Sequence, residues 1–244
     1  MKILVISDIH ANLVALEAVL ADAAGKYEAV WCLGDLVGYG PNPNECVAQV
    51  RALPGLVCML GNHDVAALGR IDLSTFNVDA QKAISWTQRS LTDETMQYLS
   101  RLPERELRPP FTLVHASPRD PVWEYILDRF VAVQNFPFFE TPYCLVGHTH
   151  TPVIYQLTET HLIELHPEHG ATDPLPLALG RFIINPGSVG QPRDNNPDAA
   201  YALLDTEALT WQFFRVPYDV AETQRRMHEV GMSARLVARL AHGW

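Results

Sequence analysis

The feature that most constrains this chain is a set of five short apolar runs, each of which ends in a polar cluster. The run at residues 56–60 leads into Gly61-Asn62-His63-Asp64, which supplies a turn, an amide oxygen, an imidazole and a carboxylate. Apolar runs of this length bounded by Gly and Pro are typical of buried strands. Open α/β sheets place their sites at the carboxyl ends of such strands. One cluster alone would equally suit an ordinary strand-to-helix loop, so the repetition carries the inference.

The other four runs follow the same pattern. They are residues 3–6, 29–33, 111–114 and 143–146, and the clusters after them contain Asp8 and His10, Asp35, His115, and His148 and His150. Helical patterns near Asn12 and at about 44–52 separate the first three runs, which predicts parallel strands joined by right-handed crossovers. The first three clusters should then share one sheet edge, where strands lie about 4.8 Å apart. As isolated residues, Asp8 would suit a helix cap and His10 a loop.

The remainder of the chain predicts one domain, 1–244, with two unlike halves. Residues 66–108 predict a helical excursion, and the aromatic, proline-containing segment 119–139 predicts a cover over the site. The second half predicts mainly antiparallel strands, with a hairpin across 153–165, and a closing helix over about 220–241. Exposed strand edges there would permit a homo-oligomer.

Composition limits the partners and the compartment. Lys and Arg number 18 against 28 Asp and Glu, a net charge of −10, so the chain has no general basic field for duplex nucleic acid. The four cysteines form no CxxC pair and predict buried, reduced thiols. We find no signal-peptide pattern and no apolar stretch near the roughly 18 residues of a membrane span. We therefore expect a cytoplasmic protein without membrane contact.

The strand-end clusters together supply carboxylate, imidazole and amide donors and no thiolate. Such donors suit manganese, iron, cobalt, nickel or zinc. The candidate metal ligands are Asp8, His10, Asp35, Asn62, His115, His148 and His150. Seven ligands are too many for one ion, whereas two ions about 3.5–4 Å apart need a bridging carboxylate and together hold a phosphate. We expect two divalent ions, with manganese first among these metals.

In this order, Asp8-Ile9-His10, Gly34-Asp35, Gly61-Asn62-His63-Asp64, His115 and Gly147-His148-Thr149-His150 resemble the motifs of the calcineurin-like metallophosphoesterases. The resemblance covers residues 3 to about 190. It implies an α/β fold, namely a four-layer α/β/β/α sandwich of mixed sheets with helical insertions. It also implies that one group of three ligands holds the first metal, another group holds the second, and Asp35 bridges both. The first group is Asp8, His10 and His150, and the second is Asn62, His115 and His148.

The resemblance further implies in-line attack on phosphorus by a hydroxide that bridges the two metals. His63 would act as a general acid or as a hydrogen-bond donor to the transition state. In the phosphoprotein phosphatase branch, a second Asp follows the Gly-Asp motif by three residues and pairs with this histidine, but Gly38 stands there in this chain. Asp64 is the adjacent carboxylate, so Asp35, His63 and Asp64 are the candidate catalytic residues.

Two smaller features bear on the resemblance, and the first of them departs from the family pattern. Val114 precedes His115 where the wider family often has glycine, which leaves the ligand set unchanged. The run Asn185-Pro186-Gly187-Ser188 is similar to the small bacterial phosphodiesterase branch. That branch acts on small phosphodiesters, and some of its relatives act on nucleotides or dinucleoside polyphosphates.

These observations predict a metal-dependent phosphodiesterase or phosphatase acting on a small, nucleotide-like phosphate ester. The alternatives are a metal-binding scaffold for a protein partner and a single-strand nuclease, which the acidic charge disfavours. The candidate substrate contacts are Asn12, Tyr39, Trp123, Tyr125 and Arg193. Tyr39 and Trp123 would stack on a base or fill space beneath the cover, and Arg193 would bind a phosphate or lie in a solvated turn.

Overall fold

Two six-stranded mixed sheets form the centre of the computed structural model, which describes residues 1–167 and 170–244. The strands are β1 (Lys2–Ile6), β2 (Ala29–Cys32), β3 (Val57–Cys58), β4 (Arg105–Arg108), β5 (Phe111–Val114), β6 (Tyr143–Leu145), β7 (Val153–Leu157), β8 (Leu162–Leu165), β9 (Leu175–Pro176), β10 (Arg181–Asn185), β11 (Ala199–Asp205) and β12 (Thr210–Val216). The helices are α1 (Leu13–Asp22), α2 (Pro43–Arg51), α3 (Asn62–Ala67), α4 (Val78–Ser90), α5 (Asp93–Leu99), α6 (Arg129–Asn135), α7 (Val220–Glu229) and α8 (Ala234–Arg239).

Parallel pairing brings the predicted strand ends together. In the first sheet, of order β3-β2-β1-β11-β12-β9, strands β1, β2 and β3 run parallel. In the second, of order β4-β5-β6-β10-β7-β8, strands β5, β6 and β10 run parallel. The predicted hairpin is present as the antiparallel pair β7 and β8. Each sheet therefore presents the carboxyl ends of a parallel group along one edge.

The core explains why the central strands are apolar at every position. On β1, Ile3 and Val5 lie in the apolar cluster that contains side chains from both sheets, whereas Leu4 and Ile6 pack in the cluster with α1 and α2. A strand covered on both faces needs apolar residues throughout, and each buried Leu or Ile stabilises the fold by about 1.5–3 kcal/mol. Helix α6 packs on the second sheet. The predicted α/β sandwich of two mixed sheets is confirmed.

Several predicted boundaries are wrong for identifiable reasons. The strand predicted at 56–60 is only Val57–Cys58, because the Leu60 amide donates to Pro103 O instead of continuing the ladder. The closing helix is divided, since Gly231 adopts a φ of 77° and the Ser233 side chain caps α8. Strand β4 lies inside the predicted helical excursion. The second half is mainly antiparallel as predicted, and the parallel pairing of β10 with β6 is an exception to it.

The four cysteines are buried and free, as predicted. Over residues 1–167 and 170–244, each helix is too short or too polar to span a membrane.

Candidate metal and catalytic site

The candidate ligands lie where parallel strands of both sheets end. Residues following β1, β2 and β3 of the first sheet meet residues following β5 and β6 of the second, and all are at most 2% exposed. The structure brings together Asp8, His10, Asp35, Asn62, His115, His148 and His150. The polar residues predicted at the strand ends therefore form one buried cluster of donors.

The backbone at this cluster is strained. Seven non-glycine residues adopt left-handed conformations with φ between 49° and 66°, namely Asp8, His10, Ala11, Asp35, Tyr39, His148 and His150. Such a conformation costs roughly 1–2 kcal/mol per residue, and it persists only where surrounding structure enforces it. Here the turns hold one another, because the Asp8 amide donates to Gly34 O and the His10 amide to Asp35 O. The ligand side chains are thus fixed by the backbone that carries them.

One pair of imidazoles presents two bare nitrogens to each other. His10 Nδ1 lies 3.2 Å from Val37 O, and His150 Nδ1 lies 2.6 Å from Gln191 O. A carbonyl only accepts a hydrogen bond, so each Nδ1 carries its ring's proton and each Nε2 keeps its lone pair. The two Nε2 atoms are 3.0 Å apart. Lone pairs at this distance repel, and a shared cation removes the repulsion.

A second pair repeats this arrangement. His115 Nδ1 lies 2.9 Å from Leu33 O and His148 Nε2 lies 3.2 Å from Trp123 O, which leaves His115 Nε2 and His148 Nδ1 bare. These two nitrogens are 3.2 Å apart, and Asn62 Oδ1 is 3.1 Å from His115 Nε2. Backbone carbonyls that fix the tautomer of a histidine are the usual support of metal ligands.

Asp35 lies between the two pairs. Its Oδ2 is buried without a hydrogen-bond partner among the described residues, and it is 3.5 Å from His10 Nε2 and 3.4 Å from His115 Nε2. One potential metal site contains Asp8, His10, Asp35 and His150, and another contains Asp35, His115 and His148. A buried, unpartnered carboxylate oxygen is costly unless a cation binds it. The donors present therefore fit divalent metal ions.

The pKa shifts follow from burial and from Asp35. Burial lowers the pKa of His10, His148 and His150 well below the usual range, so these rings are neutral. Burial also lowers the pKa of His115, but the Asp35 charge outweighs this effect and raises the pKa to about 9. Without a metal ion this ring therefore takes a second proton, on the Nε2 that faces Asp35, and a bound cation would displace that proton. Burial raises the pKa of Asp35, whereas the charges on His115 and His63 hold it well below its usual value. Negative charge at Asp35 is thus compensated locally.

His63 lies beside the ligands in an aromatic surround. Its ring centroid is 4.4 Å from that of Tyr39, 4.8 Å from that of His10 and 5.3 Å from that of Phe76. Its Nδ1 is buried, without a hydrogen-bond partner in the part of the chain that the structure describes. A Cβ on Gly38 would lie 2.6 Å from this nitrogen. Burial lowers the pKa of His63 to about 4, so the ring is neutral near pH 7.

Asp64 does not partner His63, contrary to its predicted catalytic role. Its carboxylate accepts the backbone amides of Asp35, Val37 and Gly61 at 2.9, 3.1 and 3.0 Å. Burial and then the Asp35 charge raise the pKa of Asp64 to about 7, against the effect of the Gly61 and Val37 amides. Asp64 therefore fastens the loop after β2 to the start of α3.

Three of the predicted substrate contacts share a cavity of about 210 Å³. Tyr39, Tyr125 and Arg193 line it together with Arg235 and Arg239 of α8. Neither of these last two arginines was predicted as a contact, although their i, i+4 spacing on the closing helix was the available signal.

The other two predicted contacts lie elsewhere. Trp123 packs its ring against Phe76 and offers its backbone oxygen to His148. Asn12 is not free for substrate, because its Oδ1 caps α1 and accepts the Thr223 hydroxyl while its Nδ2 donates to Gly190 O. An amide whose hydrogen bonds join α1, α7 and the loop after β10 is a structural residue.

A two-sheet sandwich with buried Asp and His donors at a shared edge is the arrangement that the resemblance to metallophosphoesterases implies. The chain belongs to the calcineurin-like phosphoesterase superfamily, whose domain model matches residues 1–209. The family is metal-dependent, and membership in it indicates that this chain is a phosphoric ester hydrolase.

Three proteins that are similar to this chain illustrate its relationships within the family. A metallophosphoesterase from Sphaerobacter thermophilus, known from a crystal structure, is 49% identical with a TM-score of 0.90, over 100% of this chain and 99% of that one. An uncharacterized protein of Methanocaldococcus jannaschii is 37% identical over 92% of this chain and 91% of its own length. A symmetrical bis(5′-nucleosyl)-tetraphosphatase of Pectobacterium carotovorum is 33% identical, over 36% of this chain and 37% of that enzyme.

Proposed function

We propose that this protein is a dinuclear, metal-dependent phosphoesterase that hydrolyses a small, nucleotide-like phosphate ester. The observation that carries the proposal is Asp35, whose buried and unpartnered Oδ2 lies between two groups of bare donors. A carboxylate shared by two donor groups is what a two-metal phosphoesterase requires. The name of the Pectobacterium relative, a nucleosyl tetraphosphatase, supports a nucleotide-like substrate.

The metal ligands would divide into the two groups of donors described above, one group for each ion. Asp8, His10 and His150 would hold one ion, Asn62, His115 and His148 the other, and Asp35 both. Nitrogen and oxygen donors without thiolate suit manganese, which we place first among the candidates, and also iron, nickel, cobalt or zinc. When bound, such ions polarise the phosphoryl oxygens and lower the pKa of water, so that hydroxide is available at neutral pH to attack phosphorus.

His63 would then supply a hydrogen bond to the leaving oxygen. Because burial lowers its pKa to about 4, the ring acts near pH 7 as a neutral donor with one N–H and not as an imidazolium acid. Tyr39 and Phe76 hold the ring from two sides. A positioned donor of this kind contributes on the order of 10²–10⁴ in rate.

The test is hydrolysis of paired aryl phosphate monoester and diester substrates by protein that is stripped of metal and then reloaded with manganese, nickel, zinc or magnesium. We expect a transition metal to restore activity and His63→Ala to lower kcat by about 10²–10⁴-fold. His228→Ala, which removes an exposed imidazole, is the matched control and should retain kcat. Binding of metal without hydrolysis of any ester, nucleoside polyphosphates included, would refute the proposal in favour of a scaffold.

A further inference from the structure

A cationic cavity lies next to the metal site, and helix α8 forms one of its walls. The cavity has a volume of about 210 Å³ and is lined by Arg235 and Arg239 of α8 and by Arg193 from the loop after β10. Asp79 is the acidic residue in the lining. Neither arginine of α8 has a part in the chemistry proposed above.

The acidic side chains of this cavity do not balance its arginines. None of the three guanidinium groups lies within 4.0 Å of an Asp or Glu oxygen among residues 1–167 and 170–244, whereas Arg215 and Arg225 are paired in this way. Arg193 donates from Nη2 to Gln191 Oε1 at 2.9 Å, but among the same residues its buried Nε has no hydrogen-bond partner. Arg239 donates from Nε to a main-chain oxygen of Trp244, the last residue, which also lines the cavity. The three guanidinium groups outnumber the acidic side chains of the lining, which suits an anion.

The pKa of Arg239 agrees with this crowding of positive charges. Burial and then the charge of Arg193 lower the pKa of Arg239 to about 10. A bound anion would relieve both effects, because it supplies negative charge where solvent is partly excluded.

Two tyrosines connect the cavity to the metal site. The Tyr39 ring lies 4.4 Å from that of His63, and the Arg193 Cζ lies 6.0 Å from the Tyr39 centroid. The Tyr125 ring stacks on His148 at 3.7 Å. The Arg193 amide donates to His150 O at 3.4 Å, which ties the arginine loop to a candidate ligand. An anion in the cavity is therefore adjacent to the proposed reaction centre.

We infer that this cavity binds a second phosphate of the substrate, so that the enzyme prefers esters with two or more linked phosphates, such as nucleoside polyphosphates, over single-phosphate esters. The inference rests on the proposed function, since the metals would take the phosphate that is cleaved. Guanidinium forks match phosphate oxygens in geometry and charge. The volume is below the 300–1,000 Å³ typical of pockets for whole organic ligands, which favours a phosphate over a nucleobase.

The test compares diadenosine tetraphosphate with bis(p-nitrophenyl) phosphate as substrates of the metal-loaded enzyme. For the Arg235→Gln/Arg239→Gln variant, we expect the ratio of the two kcat/KM values to fall at least about 20-fold, as expected from the loss of two charge-assisted contacts. Arg89→Gln/Arg101→Gln removes two exposed arginines outside the cavity and should leave the ratio unchanged. An unchanged ratio in the folded α8 variant would overturn the inference.

Two further measurements keep the inference separate from folding and from catalysis. Arg235 is exposed, so Arg235→Gln alone should fold normally and still lower the ratio severalfold. If the wild-type enzyme hydrolyses neither ester, calorimetry on the metal-loaded protein compares methylenediphosphonate with methylphosphonate. A preference for the diphosphonate that the α8 variant loses supports the second-phosphate site even though the proposed function has failed. Equal affinities in the wild type overturn it.

Discussion

Replacing Gly38 with alanine would perturb His63 through a contact while leaving its imidazole in place. A Cβ at residue 38 would lie 2.6 Å from His63 Nδ1 and 3.0 Å from its Cγ. Ordinary contact begins at 3.4 Å, so the ring nitrogen must retreat by about 0.8 Å. The backbone contributes separately, because Gly38 has a φ of 91°, a region that disfavours alanine by roughly 1–2 kcal/mol.

These two effects predict different observables. The backbone strain should lower Tm by about 2–8 °C in a chain of this size. Misplacing a catalytic group by about 1 Å costs on the order of 100-fold in rate, so kcat should fall about 100-fold. Because the ligands and the arginines that bind substrate are untouched, we expect KM to change less than about threefold. The assay is steady-state hydrolysis of the preferred aryl ester at saturating metal, with Tm measured on the same samples.

Gly25→Ala is the matched control. Gly25 also has a positive φ, 74°, but a Cβ there meets no atom within 4 Å. It should therefore lose stability as Gly38→Ala does and keep its kcat. If folded Gly38→Ala retained a kcat within about threefold of that of Gly25→Ala, the position of His63 would not matter to the limiting step, and its proposed role would be refuted.

Three other perturbations have defined outcomes. Asp35→Asn removes the shared negative charge, so elemental analysis should find at least one metal ion per chain fewer than in the wild type; an unchanged content would contradict the bridging role. Asp64→Asn leaves one acceptor oxygen for three backbone amides and should lower the free energy of unfolding in urea by about 2–3 kcal/mol, whereas a loss of kcat at unchanged stability would restore Asp64 to the chemistry. The Arg119 hydrogen bond lowers the pKa of Glu124 to about 2. This interaction therefore stabilises the fold fully above the pKa of Glu124 in the unfolded chain, about 4.5, and the stabilisation is lost as pH falls towards 2. The free energies of unfolding of Glu124→Gln and wild type should thus converge as pH falls over that range. At neutral pH they should differ by less than about 1 kcal/mol, because the pair is partly exposed. A difference that stays constant with pH would contradict the assignment.

The strand ends were predictable because two local signals coincide there. Short apolar runs at β1, β2 and β5 fix where buried strands stop, and the residues that follow them have little choice of position. Parallel pairing then follows from the intervening helices. The gathering of Asp35 and His115, 80 residues apart in the sequence, is a consequence of the strand order and required no knowledge of side-chain contacts.

The roles of Asp64 and Asn12 were not predictable, since a loop carboxylate or amide has the same sequence pattern whether it caps backbone groups or contacts substrate. Only the hydrogen bonds separate the two cases. Arg235 and Arg239 were missed for a different reason. Their approach to Arg193 depends on the break at Gly231, which redirects the chain between α7 and α8, and on long-range packing that a helical pattern does not encode.

The left-handed turns at the site make the loss of metal chemistry difficult to reverse in evolution. Five of the candidate ligands hold φ between 49° and 66°, and at roughly 1–2 kcal/mol each their combined cost is comparable with the 5–15 kcal/mol that keeps a typical domain folded. A lineage that no longer needed the ions would gain stability with a Gly substitution at any of these five positions. Each such gain would remove a metal donor, so drift would proceed towards more stable, inactive chains, and selection for activity would be needed to retain the strained turns.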